Sequence, residues 1–335
     1  SDVERAKSAR RELTKVEQIP MSLAIGIDVG GTKLLGGVVD DEGRVIARLR
    51  RETPREGGKA LTHLVAELVL QLQKDVREEI SNIGLSAAGF VSADRERMLA
   101  ATNIAGWTGV NLAEELAPLI GSRIIVENDA NAACWGEYRY GAGRNSRNMI
   151  FFILGTGMGG ALIVNGQLFR GAHGTAAEFG HMRVNANGPL CGCGARGCFE
   201  QFCAGPALMR HVAEAIEAAP ERAFELLRYG DGTLEGLTGK HVTSAAQAGD
   251  RIANTAFKIT GEWLGFGLAS LVVILDPDLI VLGGGVSEAG EILAAPARES
   301  LARNASFSGH SLPNIVTAQL GNDAGLVGVA DLARG

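Results

Sequence analysis

Three cysteines at Cys-x-Cys-x4-Cys spacing, Cys191, Cys193 and Cys198, limit more than any other feature how this chain can fold. Glycines at 192, 194 and 197 let the segment double back so that the three sulfurs can meet at one point. Tetrahedral zinc needs a fourth donor, and His181, ten residues upstream of Cys191, is the nearest candidate. A Cys3His set with no open position closes a loop and does not activate water. Three reduced thiols in a glycine-rich turn, or a disulfide between two of them, are the alternatives. Glu178 and Glu200 flank the cluster, either as surface carboxylates or as ordered ones able to accept hydrogen bonds from a polyol.

Upstream, Leu23 to Ile27 reads as an apolar strand that ends on Asp28-Val29-Gly30-Gly31-Thr32-Lys33, with a second strand over Leu34 to Val39. Thr precedes Lys and a strand follows, so this is not a P-loop. Backbone N–H groups at Gly30 and Gly31, with the Thr32 hydroxyl, can still nest a phosphate, and Asp28 can hold magnesium through water. An ordinary hairpin turn is the plainer reading. A third strand is expected over Arg44 to Arg50, and Leu61, Leu64, Val65, Leu68, Val69 and Leu72 recur at helical spacing within 58–80. The strand Ile83 to Ala87 ends in a small-residue turn around Gly89, where backbone can approach a ligand, and Asn103 sits in a polar loop. A strand over Arg123 to Glu127 runs into Asn128-Asp129-Ala130-Asn131, which begins a helix reaching about Tyr140. Asp129 is then either a structural N-cap or a carboxylate placed to accept a proton, kept ionised at low pKa by the helix dipole.

Met149 to Leu154 is a further strand, followed by Gly155-Thr156-Gly157-Met158-Gly159-Gly160 and a strand over Ala161 to Val164. No helix follows the GxGxxG match, which argues against a dinucleotide site. The segment instead repeats the strand, glycine turn, strand pattern of Gly30 at Gly157, 127 positions later. That repetition implies a duplicated fold whose turns face each other across a cleft. Helices are expected over 205–227 and 244–275, the second stopped by Asp276-Pro277. The strand Leu279 to Leu282 then leads through Gly283-Gly284-Gly285, a tight turn or a place where bare backbone admits a base or ribose, into a helix from about Glu288. Ile315 to Gln319 and Ala324 to Ala333 are the last strand and helix.

A length of 335 residues suits about two domains, and 46% hydrophobic residues can fill a core in each. The divisions we expect are a leader over 1–20, a small α/β domain over 21–127, and a large α/β domain over 128–319 carrying the knuckle 181–198. The helix near 320–335 should return to the small domain. A net charge of -6 argues against a nucleic-acid partner, and residues 1–20 lack an apolar run of signal or membrane length. Cys134 and Cys203 read as buried reduced thiols, in keeping with a cytoplasmic protein.

Glu178-Phe179-Gly180-His181, followed by Cys191-Gly192-Cys193-Gly194-Ala195-Arg196-Gly197-Cys198-Phe199-Glu200, resembles the signature of the ROK family of sugar kinases and repressors. With the two glycine turns, the Glu-Asn-Asp-Ala-Asn segment and the late glycine run, the resemblance extends over residues 22 to 333 and is nearest the family's bacterial glucokinases. It implies a two-lobed actin-like ATPase (ribonuclease-H-like) α/β fold with a zinc knuckle, and transfer of the ATP γ-phosphoryl group to the 6-hydroxyl of glucose. By the same resemblance Asp129 is the general base, and Asn103, Asn128, Glu178, His181 and Glu200 meet the sugar; the small-residue turn adds Gly89 to them. Asp28, Gly30, Gly31, Thr32, Lys33, Gly155, Thr156, Gly157, Gly159, Gly160, Gly283, Gly284 and Gly285 meet ATP and its Mg²⁺. His181, Cys191, Cys193 and Cys198 hold structural Zn²⁺. The family implies a homodimer or homotetramer. Mannose or an N-acetylhexosamine as the sugar, and polyphosphate as the donor, stay open. A repressor carries a winged-helix domain ahead of this body, and the expectation here is that about 20 residues are too few for one.

Overall fold

The computed structural model describes residues 22–101, 103–305 and 311–335; the leader expected over 1–20 lies outside them. The first sheet begins as an antiparallel meander of β1 (Ala24–Val29), β2 (Lys33–Val39) and β3 (Val45–Glu52). β4 (Ile83–Ala87) pairs in parallel with β1, and after a small hairpin of β5 (Phe90–Val91) and β6 (Met98–Ala100), β7 (Ile124–Asn128) pairs in parallel with β4. The second sheet repeats the plan. β8 (Met149–Leu154), β9 (Met158–Val164) and β10 (Gln167–Leu168) form the meander, and β11 (Leu279–Gly283) and β12 (Asn314–Thr317) extend it in parallel. The strand orders β3-β2-β1-β4-β7 and β10-β9-β8-β11-β12 are therefore equivalent, as the repeated glycine turns implied.

Central strands are buried on both faces, which is why β1, β4 and β8 read as unbroken apolar runs, whereas edge strand β3 alternates and turns arginines outward. Helix α1 (Gly58–Val76) packs Leu61, Val65, Leu68, Val69 and Leu72 on the first sheet. Helix α2 (Leu112–Ile120), capped by the Asn111 side chain on the Glu114 N–H, escaped the sequence reading because it is short and carries Pro118. α3 (Asp129–Tyr140) leaves the end of β7 and spans to the second sheet. The remaining helices are the single turn α4 (Glu200–Cys203), α5 (Gly205–Ala218), α6 (Ala223–Leu227), α7 (Gly239–Gln247), α8 (Arg251–Leu275), α9 (Glu291–Asn304) and α10 (Ala324–Leu332). The helix expected from Glu288 begins at Glu291, after a 3-10 turn over Gly285–Ala289. By length and composition α8 could cross a membrane, but it packs along α9 and α5 as the axis of the larger core.

Helix α10 lies against β1, β2 and β4 and along α3. Glycines make this approach possible: a Cβ at Gly26 would fall 2.1 Å from the Leu326 carbonyl oxygen, and one at Gly328 would fall 1.8 Å from that of Ala132. Two buried carboxylates hold the same region together. Glu137 on α3 accepts the N–H groups of Ala142 (2.8 Å), Gln319 (3.0 Å) and Leu320 (2.6 Å). Asp331 on α10 accepts Trp135 Nε1–H at 2.8 Å, Arg139 Nε–H at 3.1 Å, Arg334 Nη1–H at 3.1 Å and the Tyr140 hydroxyl. Asp331→Ala strands all four donors, and we expect a loss of about 3 kcal/mol in urea unfolding. An unchanged midpoint would show that α10 is held by packing alone.

Candidate active site

The ends of β1, β4 and β7 and those of β8 and β11 open on one cleft, which divides into two hollows meeting at Ala88, Asp129 and Ile153. One, of about 360 Å³, brings together Asp28, Gly30, Asp129, Gly283, Gly284 and Gly285. The other, of about 270 Å³, brings together Gly89, Asn103, Asn128, Asp129, Gly155, Thr156, Gly157, Gly159, Gly160, Glu178 and His181. Gly31, Thr32 and Lys33 are exposed and line neither hollow, and Gly31 lies against the Asn103 backbone. The Gly30 N–H donates to the Lys33 carbonyl at 2.9 Å and is not free to nest an anion; that capacity falls to Gly31 and Thr32. Sequence reading missed the floor of the larger hollow, where Ser287 from the 3-10 turn after β11 meets Thr317, Ala318, Gly321, Asn322 and Gly325 from the end of β12 and the approach to α10. Those residues carry no motif of their own.

Asp129 is the first residue of α3, and the N-cap is Asn128, not Asp129: the Asn128 Oδ1 accepts the Asn131 N–H at 3.0 Å. The Asn128 Nδ2–H group donates to the Gly89 carbonyl at 2.9 Å and to Asp129 Oδ1 at 3.1 Å. Asp129 Oδ1 also accepts the Ala130 N–H at 3.0 Å, which leaves Oδ2 as the oxygen with capacity for a proton. Gly89 is required here, because its φ of 136° and a Cβ position 2.2 Å from the Ala100 carbonyl oxygen exclude a side chain.

Charge in the cleft departs from the sequence expectation. Burial raises the Asp129 pKa, against the lowering effect of the Ala130 N–H, its own N–H and Asn128, so the low pKa expected from the helix dipole is not found. Burial also raises Glu178, where the field of His181 lowers and those of Asp129 and Glu200 raise. Asp28 is pushed up to about 6, by burial first, although the Ser86 hydroxyl donates to its Oδ1 at 2.9 Å; Asp129 adds to the rise. Three carboxylates thus lie along one cleft where burial outweighs the fields of Lys33 and His181, a setting that a hydrated divalent cation at Asp28 would relieve.

The knuckle is built by backbone bonds from Cys191 N–H to the Ala195 carbonyl (2.8 Å) and from Gly197 N–H to the Pro189 carbonyl (2.9 Å). Gly197 has a φ of 73°, and a Cβ there would sit 1.5 Å from the Asn185 carbonyl oxygen. The donor atoms of His181, Cys191, Cys193 and Cys198 all lie within 4.8 Å of one another. Cys193 and Cys198 sulfurs are 3.6 Å apart, and Cys191 Sγ lies 3.7 Å from His181 Nδ1. A disulfide needs about 2.05 Å. Ligands about 2.0 to 2.3 Å from one centre have tetrahedral edges of about 3.5 to 3.8 Å, so the set fits zinc. Nδ1 faces the sulfurs, which leaves His181 Nε2 for the cleft. Glu200 is not among the residues lining either hollow but stands beside Gly157, which is: its Oε2 accepts the Met158 N–H at 3.3 Å and its Oε1 lies 3.1 Å from Cys191 Sγ. It ties the knuckle to the turn between β8 and β9.

Asp28→Asn follows as a test of the electrostatics. A carboxyl whose folded pKa of about 6 exceeds its ordinary value of 3.8 contributes stability below the lower value and loses it as pH rises through the higher. In metal-free protein, Asp28→Asn should therefore exceed the parent by about 3 kcal/mol at pH 7.5, with the gap closing toward pH 4. Equal stability at both pH values would contradict a carboxylate charged at a cost.

The ROK family model matches residues 24–335. The chain is 43% identical to a glucokinase of Streptomyces coelicolor, across 94% of this chain and 98% of that one. It is 33% identical to a glucokinase of Thermotoga maritima, again over 94% and 98%. Among solved structures, the ROK family glucokinase of Streptomyces griseus in complex with glucose and AMPPNP superposes with a TM-score of 0.82 at 42% identity, covering 93% of this chain and 99% of that chain.

Proposed function

We propose that this chain, which belongs to the ROK family, works as an ATP-dependent glucokinase that phosphorylates the 6-hydroxyl of glucose. The observation that carries the reading is the single carboxylate, Asp129, at the meeting point of two hollows, one lined for a nucleotide and the other for a polyol. Glucose occupies the hollow of Gly89, Asn103, Asn128, Glu178 and His181, with Glu200 holding that wall in place through Met158. The nucleotide lies over Gly283, Gly284 and Gly285, and its phosphates reach toward Asp28, Gly31 and Thr32 on one side and Gly155, Thr156, Gly157, Gly159 and Gly160 on the other.

Asp129 Oδ2 takes the proton of the sugar hydroxyl as that oxygen bonds to the γ-phosphorus; the bond from phosphorus to the β,γ-bridging oxygen breaks, and ADP leaves with the electron pair. The raised pKa of Asp129 brings the base nearer to operating pH than an ordinary carboxylate. Phosphoryl transfer has a loose transition state, so positioning outweighs base strength. Magnesium, held near Asp28, supplies neutralisation of phosphate charge. His181 Nδ1, Cys191, Cys193 and Cys198 would hold zinc, which would supply a closed structural staple; with Nδ1 so engaged, His181 Nε2–H is the donor left for a sugar hydroxyl.

Asp129→Ala should leave glucose binding measurable by titration calorimetry while glucose-dependent ADP release falls by roughly two to four orders of magnitude. Near-normal turnover in that variant would sink the assignment of the base. Cys193→Ala should lose zinc, read by elemental analysis, with a lower melting temperature and weaker glucose affinity. Unchanged metal content together with unchanged melting would count against the staple.

A further inference from the structure

Glu127, the residue before the Asn128-Asp129 pair, is 1% exposed and gathers charge from both sheets. Its Oε1 accepts the Asn128 N–H at 3.2 Å and Asn131 Nδ2–H at 3.0 Å, so it grips the first turn of α3 from beneath. Its Oε2 accepts Arg170 Nε–H at 2.8 Å, with Arg170 Nη2 at 2.7 Å, and lies 3.5 Å from Arg95 Nε. Arg95 comes from the turn between β5 and β6 beside the first sheet; Arg170 comes from the loop after β10 at the edge of the second.

Both arginines are held by backbone as well. Arg95 adopts a φ of 64°, unfavourable for a residue with a side chain, and its carbonyl accepts the Val126 N–H at 2.8 Å. Its Nη2–H reaches the Leu332 carbonyl at the end of α10, at 3.3 Å. The Arg170 carbonyl accepts the Ala176 N–H at 3.1 Å, closing a short loop. Within that loop Gly174 fits so closely to β5 that a Cβ would lie 2.2 Å from the Val91 carbonyl oxygen. The loop then delivers Glu178 to the sugar hollow. One buried carboxylate thus stands two residues from Asp129 and, through Arg170, eight residues from Glu178.

Stability alone does not account for this arrangement. Two cations on one anion leave a surplus, partly buried charge, and apolar side chains of similar volume commonly serve a core as well or better. Placement is what a planar guanidinium provides when two of its nitrogens, Arg170 Nε and Nη2, meet one fixed carboxylate oxygen, with the second cation, Arg95, 3.5 Å from the same oxygen. We propose that Glu127, Arg170 and Arg95 are a positioning cluster that locks the strand-to-helix junction bearing Asp129 to the loop bearing Glu178, so that base and sugar anchor keep their spacing across the two sheets. This rests on the kinase reading above for its catalytic consequence, and on geometry alone for the mechanical coupling.

The test compares Glu127→Gln and Arg170→Lys with Glu137→Gln, a carboxylate equally buried at the other end of α3. The first two should lower kcat about 10- to 100-fold, the scale of an ångström-sized misplacement, with KM for ATP within about twofold. Glu137→Gln should lower the melting temperature comparably and leave kcat at 25 °C near that of the parent. Should Glu127→Gln fail to fold, Arg170→Lys, which keeps the charge and loses the fork, carries the comparison. Amide hydrogen exchange supplies a readout independent of activity, valid even if the parent proves inactive on glucose. Arg170→Lys should quicken exchange at 128–131 and 172–178 together, and Glu137→Gln should not. Retention of kcat within twofold in an active protein, or quickened exchange confined to 172–178, would overturn the coupling.

Discussion

The cleft is referenced to one point, the junction at which β7 becomes α3. A parallel strand ending in Glu127-Asn128 and a helix opening on Asp129 place three polar side chains with three different duties within three residues. Asn128 caps the helix, and its amide reaches both the Gly89 carbonyl and Asp129, so the turn after β4 and the Asp129 carboxylate are set by one side chain. Asp129 is left with one oxygen engaged and one available. Glu127 lies beneath, satisfied from both sheets. Displacing this junction would disturb both hollows, because Asp129 belongs to each.

Around that point the duplicated sheets serve as two jaws. Each ends in a glycine turn, and α10 and α3 cross between them at distances only small residues allow. The knuckle stiffens the second jaw from outside the cleft. Its contact with the site is indirect on one side, through Glu200 to Met158, and direct on the other, through His181. A donor set gathered within 4.8 Å, with edges of 3.6 and 3.7 Å close to those of a tetrahedral site, gives the segment a defined shape that a glycine-rich loop would otherwise lack.

Much of this was legible in the chain because the signals are local. Glycine turns between apolar strands, the Cys-x-Cys-x4-Cys spacing and the helix start at Asp129 each follow from a few neighbouring residues, and the repetition of the first revealed the duplication. What sequence reading missed is non-local or averaged away. Thr317, Ala318 and Asn322 form the floor of a hollow only because β12 and α10 return beside β11. Asp129 was expected at low pKa from its helix position, but desolvation in a closed recess outweighs the dipole. Glu127 looked like an ordinary strand end, since Arg95 and Arg170 approach it from 32 and 43 positions away.

The measurement that bears most directly on the account is the initial rate of ADP release with Mg-ATP across glucose, mannose, N-acetylglucosamine and N-acetylmannosamine, with polyphosphate as an alternative donor for the best sugar. The account predicts the highest kcat/KM with glucose and ATP. Absence of turnover on all four sugars with either donor, in folded and zinc-loaded protein, would contradict it, as would a clear preference for an N-acetylated sugar.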